Sequence, residues 1–391
     1  RIAKGAMLKF IGRRLIQMAL LFVAFLTIVF FLLQAQPGDV SNQFIGNPSI
    51  PPEVRAQLAE RLGLDKSVWE QYLAYLGNFF QGDLGVSFTR YPQQVSDLLF
   101  AALPRTIVLF LSATILAYIL GFTLGKIVAW RRGRGSETVI TMGGVLLYTV
   151  FYPWFAIIML WLFGFILGWF PIGRFITTEL WNGAPYQANQ VFSVMILSVV
   201  VASALYGVVV WLAGRINPDP VRQKVIRRIG FFVILAGFAI FWFMSPMATY
   251  ARDIAHHTVL PVLTLAAVTF AGTMLLTRSS MLETLREDYI LTARAKGLSE
   301  STIRDRHAAR NALLPVTTSL VLALAFVIGG GIVTEYVFSW PGVGSLLLEA
   351  SLREDVPLAI GALSIIGVLA LFGHLIADIV YMLLDPRIRV A

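Results

Sequence analysis

The sequence contains no cysteine and only four histidines among its 391 residues. Disulfides, iron–sulfur clusters and thiol catalysis are therefore excluded, while the redox compartment stays open. Charge is scarce too. Asp, Glu, Lys and Arg make up only 14% of the chain, so no soluble domain of useful size is left outside the apolar runs. A phosphate-binding loop is also missing: Gly121-Phe-Thr-Leu-Gly-Lys126 has the wrong spacing for one and lies in an apolar run. The chain thus has no ATP site of its own, and no cofactor is expected on it. His256 and His257 are adjacent at a helix start, with no further His or Cys to complete a metal site, so no metal is expected. Ionisable residues deep in the apolar runs are few, which argues against an ion-coupled carrier. His374 and Asp378, four apart on one helix face, are the exception and read as a buried polar pair that steadies the bundle. With no nucleophile–base set, the chain does not read as an enzyme.

What is present is apolar length. Hydrophobic residues form 57% of the chain and cluster into runs long enough to span a bilayer, which makes this an all-α polytopic membrane protein. Eight spans are expected, at 15–33, 104–130, 138–170, 191–213, 229–247, 258–277, 315–334 and 358–384. The first is read as an anchor and not a cleaved signal, because Leu-Gln-Ala-Gln-Pro-Gly lacks an Ala-x-Ala pattern. Both termini are then cytoplasmic, and the cytoplasmic segments hold 23 of the 31 Lys and Arg. That bias is the positive-inside rule, so the net charge of +9 sets topology and implies no nucleic acid.

Five regions follow. Residues 1–35 form the amino end and first span, and 36–100 an extracytoplasmic cap. Residues 101–190 hold the second and third spans, 191–250 a helical hairpin with a basic turn, and 251–391 the remainder with a cytoplasmic loop at 279–314. In the cap, Pro51 and Pro52 start a helix with Val54, Leu58 and Leu62 on one face, and Val68, Tyr72, Leu76 and Phe79/Phe80 mark a second. Pro153 and several glycines imply that the third span is either kinked or packed closely against its neighbours. Gly329, Gly330 and Gly331 imply either a close backbone approach or a bend, and are candidates for lining a translocation route.

The polar loop carries the sharpest pattern. Asp288 to Lys296 has good helix formers and neither Gly nor Pro. Gly297 then stops the helix in a left-handed conformation, with Leu298 packing back. Ser299 caps a second helix from Glu300 toward Leu314, and Pro315 is placed to open a third. Two short helices hinged at a glycine make a compact docking surface.

Thr292-Ala-Arg-Ala-Lys-Gly-Leu-Ser299, followed by His307-Ala-Ala-Arg-Asn-Ala-Leu-Leu-Pro315, resembles the EAA loop of binding-protein-dependent ABC importer permeases in its dipeptide/oligopeptide branch. Leu291 and Thr292 stand where the general motif has Glu and Ala; Ala293 and Gly297 keep its letters. Gly82-Asp-Leu-Gly-Val-Ser87, Phe170-Pro-Ile-Gly173, Leu260-Pro-Val-Leu-Thr-Leu265, Glu335-Tyr-Val-Phe-Ser-Trp-Pro-Gly-Val-Gly344, Arg353-Glu-Asp-Val-Pro357 and Asp385-Pro-Arg-Ile-Arg389 resemble the same branch in order. The resemblance implies a six-helix permease core, with the hairpin at 191–250 as an insertion. It implies ATPase coupling through Leu291, Thr292, Ala293, Arg294, Ala295, Lys296, Gly297, Leu298 and Ser299, with His307, Arg310, Asn311 and Pro315. The partners it implies are a second homologous permease, two ATPase subunits or domains holding ATP and Mg, an extracytoplasmic solute-binding protein and the lipid bilayer of a prokaryotic plasma (inner) membrane. Peptide is the cargo implied; oligosaccharide, nickel or another small solute are alternatives within the class, and an ion-coupled secondary carrier is the alternative outside it.

Overall fold

The structure, a computed structural model, describes residues 2–34, 67–216, 219–327 and 331–384. Apart from one isolated bridge between Val86 and Gln94, all regular structure among these residues is helical. In a chain this apolar, only a helix pairs each backbone N–H and C=O within its own segment. The chain divides into two compact units, residues 1–160 with 261–391, and residues 161–260.

The first unit opens with α1 (Ile2–Gln34) and α2 (Val68–Phe80). A capping box starts α2: the Ser67 hydroxyl accepts from the Glu70 N–H while the Glu70 carboxylate accepts from the Ser67 N–H. The helix then lies on α1 through its aromatic face. Tyr72 and Thr27 share a hydroxyl hydrogen bond of 2.6 Å, and Tyr75 stacks on Phe30 at 5.6 Å. The second helix expected in residues 36–100 is therefore present. The first, with its Pro51/Pro52 start, lies outside the described residues.

The long α3 (Val95–Trp130) runs about 54 Å, at 1.5 Å for each of its 36 residues. Its two ends anchor separate cores. At the first, Val95, Leu99 and Ala102 pack with α12 (Val343–Leu352) and α13 (Val356–Leu384). At the other, Ala129 packs among residues of the polar loop. Between them α3 meets α8 (Ala248–Thr284) along a small-residue seam: a Cβ on Gly121 would lie 2.6 Å from Thr273 Cβ, and one on Gly125 would lie 2.5 Å from the Met274 carbonyl oxygen. Glycines four apart let two backbones approach closely where lipid offers no hydrophobic drive for association.

Between α3 and α8 come α4 (Gly135–Thr149) and α5 (Tyr152–Met159), the latter running on as a π-helical turn Leu160–Ile166. The kink expected at Pro153 is a sharp break, with the two helical stretches bent by 106°. Val150 and Phe151 are extended there, and Pro153 sits in the first turn of α5, where it has no N–H to satisfy.

The second unit is built on α6 (Ala188–Ile216) and α7 (Pro220–Met244). Asp219 caps α7 by accepting from Val221 N–H, and Trp242 donates to Ser198 at 3.2 Å across the pair. Most large apolar side chains of this pair face outward, as lipid-facing surfaces do. Loop residues 167–187 fold onto the start of α8, where Asp253 accepts from Thr177 N–H at 3.0 Å, from its hydroxyl at 2.6 Å and from Trp181 Nε1 at 2.8 Å.

Six described helices, α1, α3, α6, α7, α8 and α13, are long and apolar enough to cross a membrane, and the bent pair makes a seventh if it counts as one span. The run expected at 315–334 starts earlier, within α10 (Ala309–Val327), and part of it lies outside the described residues. The expected starts at Pro104 and Pro315 also need correction, since both prolines lie inside helices. A proline removes one backbone hydrogen bond, but in an apolar environment every other group on either side still needs a helical partner, so the helix continues through it.

Candidate functional site

The polar loop forms α9 (Asp288–Ala295), a single turn Glu300–Thr302, a π-helical turn Ile303–Ala308 and then α10. Gly297 has φ +72°. Its N–H donates to Arg294 C=O at 2.9 Å and the Leu298 N–H donates to Ala293 C=O at 3.3 Å. This is a Schellman closure, which satisfies carbonyls left over at the helix end. Ser299 accepts from Thr302 N–H at 3.3 Å and starts the next turn. Both events are local, and both follow the sequence reading.

What the segment rests on is a small apolar core. Ile290 and Ala293 of α9 are buried against Ala129 of α3, Met281 of α8, and Ile303, Ala308, Ala309 and Ala312. Asn311 donates to the Tyr289 hydroxyl at 2.7 Å, tying α10 to α9. Leu291, Thr292, Arg294, Ala295, Lys296, Gly297, Leu298 and Ser299 are exposed, Leu291 by 68%. Arg310, Asn311 and Pro315 are exposed as well, and His307 is half-buried. Ala293 alone of the expected docking residues faces inward, at 5% exposure. It packs the segment onto the protein. The i, i+3 spacing of Ile290 and Ala293 was the signal that could have assigned this face.

A charged cluster joins the segment to α3. Asp305 lies 2.8 Å from Lys126 Nζ and accepts from Arg304 Nε at 3.0 Å and Nη2 at 2.8 Å. These hydrogen bonds, from Arg304 first and Lys126 second, hold the Asp305 carboxyl well below the usual carboxylate range. Arg304 also lies over the Trp130 ring at 6.0 Å. Nearby, Arg278 of α8 pairs with Glu137 of α4. Neither the Lys126–Asp305 nor the Arg278–Glu137 pairing is visible from sequence spacing.

At the far end of α3 two buried carboxylates collect three of the other motifs. Asp355 accepts from the Ser87 hydroxyl at 2.5 Å, from Thr89 N–H at 3.0 Å and from the Thr89 hydroxyl at 2.7 Å. The runs 82–87 and 353–357 thus meet at one side chain. Glu335, in α11 (Ile332–Val337), accepts from Thr106 of α3 at 2.6 Å and from Ser345 N–H at 2.8 Å. A Cβ on Gly342 would strike that carboxylate, which accounts for glycine in the run 335–344.

Three further expectations can be placed. Gly331 is closely packed, since a Cβ there would lie 2.9 Å from the Phe110 ring; Gly329 and Gly330, like Asp385-Pro-Arg-Ile-Arg389, lie outside the described residues. His374 and Asp378 do not pair with each other. Asp378 instead meets Arg14 of α1 at 3.1 Å, while His374 Nδ1 contacts Ala370 C=O at 2.9 Å and its side chain is exposed. Helical spacing shares a face but does not select a partner, and Arg14 brings the opposite charge. His256 and His257 lie within α8, which begins at Ala248, earlier than expected; His257 is buried and His256 contacts the Trp169 carbonyl at 2.9 Å.

Comparison with known proteins matches residues 207–390 to the family described as binding-protein-dependent transport system inner membrane component. Residues 7–110 match the N-terminal model of the membrane component of the same systems. The chain is 32% identical to the oligopeptide transport system permease protein AppB of Bacillus subtilis (strain 168), over 98% of this chain and 100% of that one. It is 32% identical to the di/tripeptide transport system permease protein DppB of Pseudomonas aeruginosa (strain UCBPP-PA14), over 98% and 99%. With the dipeptide transport system permease protein DppB of Escherichia coli (strain K12) the identity is 30%, again over 98% and 99%.

Proposed function

The chain belongs to the family of binding-protein-dependent transport system inner membrane components, and from that membership we propose that it is the permease subunit of an ATP-driven importer of peptides. It is a multi-pass inner membrane protein that works with a solute-binding protein and with ATPase activity on separate subunits. A second, homologous permease and two ATPase subunits or domains, holding ATP and Mg, complete the assembly in this reading. The chain crosses the membrane eight times with both termini in the cytoplasm, α10 supplying the remaining span and α6–α7 an inserted hairpin. The positive-inside bias supports that sidedness. Gly329 to Gly331 stand as candidates for the translocation path.

One observation carries the mechanism: the exposed residues between Leu291 and Ser299 sit on a buried base, Ala293 included, that packs with α3 and α8. In the mechanism proposed, closure of the ATPases displaces the exposed face, and the base passes the displacement to two membrane helices. ATP binding must favour one transporter state over the other for this to do work, and the segment is where that difference enters the membrane.

The test is co-purification from native membranes followed by reconstitution. Recovery of ATPases and a second permease, with ATP-dependent uptake of labelled dipeptide or oligopeptide, is the expected result. Uptake of an oligosaccharide or nickel instead would change the cargo and keep the class. Recovery of the chain alone, with uptake driven by an ion gradient, would replace the importer by a secondary carrier.

A further inference from the structure

At the end of α3 next to the coupling segment lies a cavity of about 240 Å³ lined by Thr123, Lys126, Ile127, Trp130, Arg131 and Arg304. Three of its six lining residues are cationic. Asp305 returns one negative charge through Lys126 and Arg304, which leaves a net excess of two positive charges. Thr123, Ile127 and Trp130 follow one another at helical spacing on one face of α3, and Thr123 and Arg131 at either end are exposed, so the cavity opens outward. Its depth is marked as well. Trp130 ends the apolar run and Arg131, Arg132 and Arg134 follow it, an order that sets this level at the membrane–water interface.

We propose that this cavity binds the phosphate of an anionic phospholipid, clamping the end of α3 to the coupling segment through Arg304. A phosphate at that level is what a lipid headgroup supplies, and Ile127, with Ile119 and Leu120 exposed about two turns earlier on α3, gives the acyl chains an apolar path. Basic pockets between helices on the cytoplasmic side recognise such headgroups. The leaflet rests on the topology proposed above; the binding does not.

The test uses the intact complex, studied by native mass spectrometry after exchange into phosphatidylglycerol or phosphatidylcholine. Wild type is expected to retain phosphatidylglycerol in preference. Arg131→Gln should lower that retention about five-fold, the share of one basic residue near an anionic surface. Asp305→Asn should raise it, because Lys126 and Arg304 lose the carboxylate they now share. Arg222→Gln, in the turn between α6 and α7, should leave it unchanged. Equal retention of the two lipids, or no effect of Arg131→Gln, would overturn the proposal. So would displacement of the lipid by inorganic phosphate alone, which would make this a free-anion site, and so would an intact complex holding no lipid, which would assign the face to a partner subunit.

Discussion

Truncating Leu291 to alanine removes a side chain that the folded protein hardly uses, because Leu291 is 68% exposed while its neighbour Ile290 is 1% exposed. Fully burying a leucine stabilises by roughly 1.5–3 kcal/mol. About two thirds of that surface is still available to a partner, so docking has roughly 1–2 kcal/mol at stake. That corresponds to an ATPase held roughly 5- to 30-fold less tightly. The permease itself should keep its thermal stability within about 0.5 kcal/mol, as surface substitutions do. Two readouts are needed in proteoliposomes: the ATPase that co-purifies, and peptide transported per ATP hydrolysed. Both should fall for Leu291→Ala. Ile290→Ala is the internal control, since it opens a cavity beneath the segment and should lower thermal stability by about 2–5 kcal/mol. If Leu291→Ala retains its ATPase and couples normally, the exposed face of α9 is not the docking face.

Gly297→Ala meets no neighbouring atom but must hold φ +72°, so it should cost about 1–2 kcal/mol, with Gly297→Asn costing less; thermal denaturation of the two variants checks the order. Gly125→Val would press on the Met274 carbonyl and force α3 from α8, and the expected result is loss of folded protein on size-exclusion chromatography. Asp355→Ala leaves the Thr89 and Leu358 N–H groups without their acceptor, at about 1–3 kcal/mol each, read as a lower melting temperature, with Asp355→Asn milder. The Asp305 carboxyl is depressed in the folded state, so its contribution is complete above its unfolded value near pH 4 and is lost only as pH falls through the lower folded value. Wild type and Asp305→Asn should therefore differ in stability by a constant amount between about pH 6 and 8; a difference that changes across that window would contradict the assigned ionisation.

Much of this protein is written locally. Apolar run length dictates helices, because an unpaired backbone is intolerable in lipid. The αL stop at Gly297 and the cap at Ser299 depend on residues within a few positions of each other, so the segment's outline was legible from its letters. Proline was misleading for the same reason that run length was informative: the bilayer holds α3 and α10 helical through Pro104 and Pro315. What the letters left open was partnership. Whether Ala293 faces a partner or the protein's own core is decided by Ala129, Met281 and Ile303, which reach it from elsewhere in the chain. Asp378 finds Arg14 from 364 residues away, and Ser87 finds Asp355 from 268. Hydropathy and backbone conformation are properties of neighbouring residues, so the sequence determined the helices and the polar segment between them, though not where every helix begins. Which polar group meets which depends on how the helices pack, and only the tertiary structure decided that.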